Sequence, residues 1–282
     1  MNFTEQHLLN FIDLAITEDI GDGDHTSLST IPAGTQNKAQ LLVKESGILA
    51  GVQVANIIFH RIDSNLNVVN ILSDGDKIKV GEVVLTVSGS AHSILKAERL
   101  VLNIMQHMSA IATATNAIVQ KVSHTKCKIL DTRKTTPGMR FLEKEAVLIG
   151  GGMNHRIGLY DMILIKDNHV DYAGGITAAL VNAKQYLKDT GRNLPIEIET
   201  RNIDEVKEAI SEGGFKRIMF DNFNFDMIRE AVQLVNSKFE TEASGGITTE
   251  NVVQYAECGV DYISIGALTH SVKALDLSLK AV

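Results

Sequence analysis

Hydrophobic and polar positions give the first half of the chain a rhythm typical of β-structure. From Lys38 to Ser88, short apolar runs alternate with glycine-containing turns. The stretch AQLLVKESGILAG predicts a strand pair around a glycine, and SDGDKIKVGEVVLTVSG predicts a second pair with Asp74-Gly75 as its hairpin turn. Upstream, apolar residues at helical spacing predict a helix over residues 3–17. The acidic EDIGDGDHTS that follows lacks the ligand spacing of a calcium loop and is interpreted as a structural turn.

A long apolar stripe predicts a helix over Ser93–Ser123, with an interruption near Ser109 left open. Arg99 lies on a different face of this helix. A solvated polar edge explains that position, and so does a side chain that reaches into a site.

After Lys126 the pattern changes to strands that alternate with helices. The predicted strands are Cys127–Asp131, Met162–Lys166, Ile196–Glu199, Ile218–Asp221, Thr241–Ser244 and Tyr262–Gly266. The predicted helices are Phe141–Leu148, Ile176–Thr190, Ile203–Glu212, Asp226–Lys238 and Thr248–Glu257. This alternation indicates right-handed βαβ units and a parallel sheet. Six strands are fewer than the eight of a complete barrel, so an incomplete barrel and an open doubly wound sheet both remain possible.

Composition narrows the class of protein. The chain has 282 residues, of which 44% are hydrophobic and 22% charged, so it is globular and can bury a full core. A net charge of −7 argues against a nucleic-acid partner, because phosphate backbones require a basic surface. The N-terminal sequence lacks the features of a signal peptide, and no apolar run is long enough to span a bilayer. Two cysteines without metal-finger spacing fit a reducing compartment, and we expect a soluble, cytoplasmic protein that does not associate with membranes.

The C-terminal ends of the six predicted strands all carry polar residues or glycine. They read Asp131-Thr132-Arg133-Lys134, Lys166-Asp167-Asn168-His169, Glu199, Asp221-Asn222, Ser244-Gly245-Gly246 and Gly266. Helix capping explains individual ends, but not six ends with charges of both signs. The C-terminal rim is where barrel enzymes place their chemistry, so we predict an active site there.

Three kinds of ligand group are indicated at this rim. Cationic side chains cluster between Asp131 and His169, in predicted loops that contain glycine, although the protein as a whole is acidic. This pattern favours a pocket that binds an anion. The glycine loops after the last two strands, with predicted helix N-termini behind them, are typical of a phosphate cup. Glu199 and Asp221 suit sugar hydroxyls, or a divalent ion held together with a diphosphate.

The motifs, in order, resemble those of the quinolinate phosphoribosyltransferases, also called carboxylating nicotinate-nucleotide pyrophosphorylases. They are AERLVLNIMQHMSAIAT, DTRKTTPGMR, GGGMNHRIGLYDMILIKDNH, IEIET, MFDNF, ASGGI and GVDYISIGALTHS, and the resemblance covers essentially the whole chain. It implies an α/β fold with an N-terminal α/β sandwich domain over 1–108 and an incomplete six-stranded (β/α) barrel over 109–270. A C-terminal helix over 271–282 is expected to pack on the sandwich domain.

The implied activity is that of a pentosyl transferase in NAD biosynthesis. Phosphoribose passes from phosphoribosyl pyrophosphate (PRPP) to quinolinate, giving nicotinate mononucleotide, CO2 and pyrophosphate. The resemblance implies Mg²⁺ but no organic cofactor. It also implies a homodimer, or a higher oligomer, in which Arg99 of one subunit serves the partner's active site.

The site residues that the resemblance implies fall into three groups. Quinolinate and the diphosphate would be bound by Arg99, Thr132, Arg133, Lys134, His155, Arg156 and Lys166. Catalysis would involve Lys166, Glu199 and Asp221, with the two acids holding the ribose hydroxyls and Mg²⁺, mostly through PRPP and water. The 5′-phosphate would be bound by Ser244, Gly245, Gly246, Gly266 and His270.

Two other functions are compatible with parts of the pattern. Lys166 could form a Schiff base in an aldolase-like reaction on a phosphorylated sugar, which explains the phosphate cup but assigns no task to Arg133, Lys134 and Arg156. Alternatively, the sandwich half could act as a non-catalytic carrier or sensor. Borohydride trapping tests the first alternative, and mass spectrometry for a modified lysine tests the second.

Overall fold

The computed structural model describes residues 5–282, which form two compact units. One unit contains residues 117–135 and 152–270. The other contains the chain up to Asn116 together with residues 136–151 and 271–282. The predicted boundary between residues 108 and 109 falls inside a continuous helix, Ala91–Val122.

The unit that includes the N-terminal half is built on antiparallel strands. Its strands are β1 (Gln36–Val43), β2 (Gly47–Ile48), β3 (Asn67–Asn70), β4 (Lys77–Ile78), β5 (Val83–Ser90) and β12 (Leu277–Ala281). Its helices are α1 (Glu5–Ile20), α2 (His25–Thr30), α3 (Val52–Ile62), α5 (Arg140–Ile149) and most of α4 (Ala91–Val122). The main sheet has the order β12-β1-β5-β3, and β2 pairs with β4 in a separate two-stranded sheet.

Four predictions for this unit are wrong. Residues 271–282 contain no helix; instead β12 pairs antiparallel with β1, which lies more than 200 residues away in sequence. Val52–Ile62 is a helix, because its apolar residues also fit a buried helical face. Neither predicted strand pair forms: β1 pairs with β5 and β12, while β3 pairs with β5. Asp74-Gly75 does form a turn, because the N–H of Asp76 donates to the carbonyl of Ser73 at 3.1 Å, but the turn joins β3 to β4, which do not pair with each other. Asp74 also accepts the backbone N–H of Val52 at the start of α3.

The helix α4 is continuous, so the possible interruption near Ser109 is absent. The Ser109 hydroxyl accepts the backbone N–H of Ala50 at 2.9 Å and donates to the carbonyl of the same residue at 3.2 Å. The side chain is fully buried and satisfied by the neighbouring segment, which explains how a serine is accommodated there without breaking the helix.

The second unit alternates strands and helices, as predicted. The strands are β6 (Lys128–Leu130), β7 (Ile163–Ile165), β8 (Ile196–Thr200), β9 (Arg217–Asp221), β10 (Glu240–Ser244) and β11 (Tyr262–Ser264). The helices are α6 (Asp167–Ala173), α7 (Ile176–Thr190), α8 (Ile203–Glu212), α9 (Phe225–Val235), α10 (Val252–Glu257) and α11 (Ala267–His270). Asparagine side chains cap α8 and α9: Asn202 accepts the N–H of Glu205, and Asn224 accepts that of Met227.

All six strands run parallel in the order β6-β11-β10-β9-β8-β7. The strands follow one another in chain order from β7 to β11, with β6 next to β11, and the order does not reverse as it does in a doubly wound sheet. Since β6 and β7 do not pair, the sheet is an incomplete barrel, and the predicted fold class is confirmed. Residues just before β7 lie along the free edge of β6, where Met153 exchanges backbone hydrogen bonds with Ile129 and Asp131. This segment carries His155 and Arg156 to the barrel. No helix in the part of the chain that the structure describes is both long and apolar enough to cross a membrane.

Candidate active site

The C-terminal ends of the barrel strands surround a cavity of about 580 Å³. Side chains alternate along each strand, so Glu199, Met219, Asp221, Ser244 and Ser264 all face the barrel interior and line this cavity. The lining includes eleven of the predicted site residues: Thr132, Arg133, Lys134, His155, Arg156, Lys166, Glu199, Asp221, Ser244, Gly245 and Gly246. Leu164, Met219, Asn222 and Ser264 complete it and were not predicted.

The cations of the cavity come from the ends of two strands and from the segment before β7. Arg133 and Lys134 follow β6, and Lys166 follows β7. Burial, together with the positive charge of Arg133, lowers the pKa of Arg156. A cavity in which neighbouring guanidinium groups oppose one another is suited to an anion that relieves this repulsion.

Two carboxylates face these cations. Glu199 is buried, and its pKa is raised by that burial, while the Nζ atom of Lys166 lies 3.4 Å from its Oε2 atom. Asp221 ends β9, and its Oδ2 atom accepts a hydrogen bond from the side-chain amide of Asn222 at 2.8 Å. Carboxylate oxygens are the ligands that Mg²⁺ prefers, and two neighbouring strand ends supply them here.

The glycine loop after β10 passes close to the end of β9. A side chain at Gly245 would lie 2.6 Å from Cγ and 2.9 Å from the backbone nitrogen of Asn222, and the backbone there has a φ of +88°. Gly246 also has a positive φ, +62°, but open space around it. The predicted helix start at Thr248 is wrong, because α10 begins at Val252. The loop therefore offers its own backbone, not a helix N-terminus, to a ligand.

Gly266 directly precedes α11 and lies next to two predicted site residues. A Cβ atom at this position would be 2.8 Å from Cδ of Lys134 and 3.2 Å from Nε2 of His270. Gly266 and His270 thus lie beside the Lys134 side chain, although neither lines the cavity. Arg99 lies on α4 in the other compact unit, and its contribution to a site remains a prediction.

The sequence pattern missed a group of buried charges inside the barrel. Glu197 on β8, Arg217 on β9 and Glu242 on β10 are all buried; the two glutamates lie beside His155, and Arg217 lies beside Glu242. Burial raises the pKa of both glutamates to about 7, and each carboxyl group is also close to the other. A charged residue in the interior of a short predicted strand, as in IEIET and in TEAS, was the signal from which these buried charges could have been predicted.

These features define an α/β-barrel protein with a cavity suited to a multiply charged anion. Comparison with known proteins identifies the family. Residues 24–109 match the N-terminal domain of quinolinate phosphoribosyl transferase, and residues 111–280 match the C-terminal domain. The chain belongs to the quinolinate phosphoribosyl transferase family.

Individual relatives are similar over nearly the whole chain. The chain is 49% identical to quinolinate phosphoribosyltransferase (decarboxylating) 1 of Nicotiana glauca, over 97% of this chain and 82% of that one. It is 45% identical to the probable nicotinate-nucleotide pyrophosphorylase (carboxylating) of Bacillus subtilis, over 93% and 89%. The solved nicotinate-nucleotide pyrophosphorylase of Francisella tularensis superposes with a TM-score of 0.92 at 37% identity, over 100% of this chain and 98% of that one.

Proposed function

We propose that this protein transfers the phosphoribosyl group of PRPP to quinolinate and releases CO2 and pyrophosphate, which leaves nicotinate mononucleotide. Its family membership supports this activity, and one observation of the site carries it further. A single cavity combines four cationic side chains with two carboxylates and a double-glycine loop, which are the three kinds of group that this pair of substrates requires.

The cations would bind the negative charges of both substrates. Quinolinate carries two carboxylates and PRPP a diphosphate, and charge-assisted hydrogen bonds to such groups each contribute about 1.5–3 kcal/mol. We assign Arg133, Lys134, Arg156 and Lys166 to these groups. The loop at Ser244, Gly245 and Gly246, with Gly266 and His270, would hold the 5′-phosphate through backbone N–H groups, since glycine lets the backbone approach the ligand closely. Thr132 and His155 complete the proposed substrate site.

The two carboxylates would stabilise the transition state. When the ring nitrogen of quinolinate attacks the anomeric carbon and pyrophosphate leaves, positive charge develops on the ribose. Glu199 and Asp221 would stabilise that charge and orient the ribose hydroxyls, and Lys166 would stabilise the leaving group. When CO2 leaves, the electron pair of the broken bond stays on the ring carbon next to the positively charged nitrogen, and that carbon then takes up a proton from solvent, so the reaction requires no organic cofactor.

Mg²⁺ is part of this proposal. Glu199 and Asp221 offer the hard oxygen ligands that it prefers, and they would hold it mainly through PRPP and water. When bound, the ion would neutralise charge on the departing diphosphate. The chain's own residues would still determine the orientation of both substrates.

The direct test is incubation with quinolinate, PRPP and Mg²⁺, followed by detection of nicotinate mononucleotide. Absence of that product from well-folded protein would contradict the proposal. The aldolase-like alternative is tested in parallel by borohydride trapping with a keto-sugar phosphate.

We also propose a homodimer in which Arg99 of one subunit serves the partner's site. Arg99→Ala and Lys166→Ala homodimers should each be nearly inactive. After random remixing, half of the dimers would be mixed and would keep one intact site, so about a quarter of native activity should return. Native mass spectrometry confirms subunit exchange in the same sample. Mixed dimers without recovered activity would place Arg99 in its own subunit's site.

A cytoplasmic location stays a prediction, since the Arabidopsis relative is named as chloroplastic and one from Nicotiana tabacum as mitochondrial.

A further inference from the structure

A layer of charged side chains lies beneath the cavity floor, inside the barrel. Because side chains alternate along a strand, Glu197 points the same way as Glu199, and Glu242 the same way as Ser244. Glu197 and Glu242 each precede the cavity-lining residue on their strand by two positions, which is about 6.6 Å along a parallel strand. Barrel interiors are normally filled by branched apolar side chains. The charges in this layer therefore call for an explanation other than core packing.

Fold stability does not supply that explanation. Glu197 and Glu242 have no exposed surface, and Arg217 is 7% exposed. The guanidinium lies 2.9 Å from Oε2 of Glu242 and 3.9 Å from Oε2 of Glu197, while its Nε atom donates to Glu240 at 3.1 Å. Three carboxyl groups thus surround one cation. Buried ion pairs of this kind rarely stabilise a fold more than apolar side chains of the same volume, because desolvation offsets their attraction.

The cluster meets the active site through His155. The backbone N–H of His155 donates to Oδ1 of Asp131 at 2.9 Å, and its Nδ1 atom accepts the backbone N–H of Arg156 at 2.7 Å. Because Nδ1 acts as an acceptor, the neutral ring carries its proton on Nε2. That Nε2 atom lies 3.1 Å from Oε2 of Glu197 and 3.6 Å from Oε2 of Glu242. The imidazole therefore lies between the backbone of Arg156 and the two carboxyl groups, and Arg156 is a cation of the cavity.

We propose that Glu242 and Glu197 are positioning residues for quinolinate recognition, which act by holding the imidazole of His155 and thereby fixing the segment that presents Arg156 to the cavity. The inference rests on the proposed function. The Nε2 atom and the two carboxyl groups lie within 4.8 Å of one another, a spacing that a metal ion could also use. The guanidinium of Arg217 already supplies positive charge to Glu242 at 2.9 Å, so the geometry favours the positioning role.

Substitutions at Glu242 test this role, and Glu240 provides a matched control. Glu242→Ala should raise the KM for quinolinate about ten- to hundredfold, the factor for losing one interaction with a charged group, with kcat and the KM for PRPP little changed. Glu242→Gln keeps the volume and an acceptor oxygen, and should stay within about threefold of the native KM. Glu240→Ala removes another carboxylate from Arg217 on the same strand, two residues before Glu242, and should leave the KM for quinolinate unchanged.

Nitrogen-15 NMR of histidine-labelled protein gives a second readout that does not depend on activity. The native His155 signal, assigned with a His155→Gln variant, should show the proton on Nε2, and Glu242→Ala should shift it. A native ring protonated on Nδ1 would overturn the proposal, even when Glu242→Ala does not fold. Equal KM changes in Glu242→Ala and Glu240→Ala, or a stoichiometric metal that is lost in Glu242→Ala, would also overturn it. If the native protein does not use quinolinate, the proposed function fails. The NMR measurement of the His155 tautomer would then still test whether the imidazole contacts Glu197 and Glu242.

Discussion

Alanine at Gly245 should disable the site through a steric conflict that alanine at Gly246 avoids. Both glycines have a positive φ, +88° and +62°, so alanine at either position incurs the strain of a left-handed backbone, about 1–2 kcal/mol. At Gly246 the nearest atom to an added Cβ is 4.0 Å away. At Gly245 the Cβ would lie 2.9 Å from the backbone nitrogen of Asn222, which cannot rotate away.

The difference between the two variants isolates the close approach of the loop to β9. Overpacking adds about 1–3 kcal/mol, so Gly245→Ala should lower the free energy of unfolding by roughly 2–5 kcal/mol and Gly246→Ala by about 1–2 kcal/mol. Asn222 follows Asp221 directly, so a displaced Asn222 also moves the carboxylate. A shift of about 1 Å can reduce turnover about a hundredfold, so we expect kcat/KM for PRPP to fall about a hundredfold further in Gly245→Ala than in Gly246→Ala.

Urea denaturation and steady-state kinetics at varied PRPP concentration measure both effects. Native protein is the reference, and Gly246→Ala is the control for a left-handed alanine in the same loop without the clash at Asn222. Equal losses of stability and of kcat/KM in the two variants would refute the reasoning, because backbone strain would then account for the whole effect.

Three further predictions concern the charges of the site. Nicotinate lacks the second carboxylate and would leave a cation of the cavity unpaired, so its kcat/KM should be about 10⁴-fold below that of quinolinate; comparable values would contradict the anion pocket. Asp221→Ala should lower kcat roughly 10²–10³-fold with an unchanged Tm, and unchanged kcat and Mg²⁺ dependence would reduce Asp221 to a structural role. Burial, and then the nearby Glu197, raise the pKa of Glu242 to about 7. The folded protein then holds a proton that the unfolded chain has released. The free energy of unfolding should therefore fall as the pH rises from about 5 to about 7 and then level off. Chemical denaturation at several pH values should show a smaller fall in Glu242→Gln.

The strands and helices of the barrel were predictable because each βαβ unit is local. Ile176–Thr190 and Ile203–Glu212 begin and end where the sequence predicts, since a glycine follows each helix and Asn202 caps the second one. The strand ends were predictable for a related reason: parallel strands place all their C-termini at one rim. Eleven of the predicted site residues consequently line the same cavity.

The misplaced elements depend on distant partners. Leu277–Ala281 is a strand only because β1 offers a free edge, and no local pattern records that pairing. Val52–Ile62 contains β-branched residues that suit a strand equally well, and tertiary packing decides in favour of the helix. The cluster of Glu197, Arg217 and Glu242 was missed because charges on three separate strands form one group only after the barrel has brought these strands side by side.

The central claim is that one site joins phosphoribose to quinolinate and removes the adjacent carboxylate. The most direct test uses quinolinate labelled with carbon-13 in the carboxylate next to the ring nitrogen, together with PRPP and Mg²⁺. We predict one equivalent of labelled CO2 for each nicotinate mononucleotide formed, and roughly 10²–10³-fold slower formation of both products in Asp221→Ala. Nicotinate mononucleotide that retains the label, or label released without PRPP, would contradict the account.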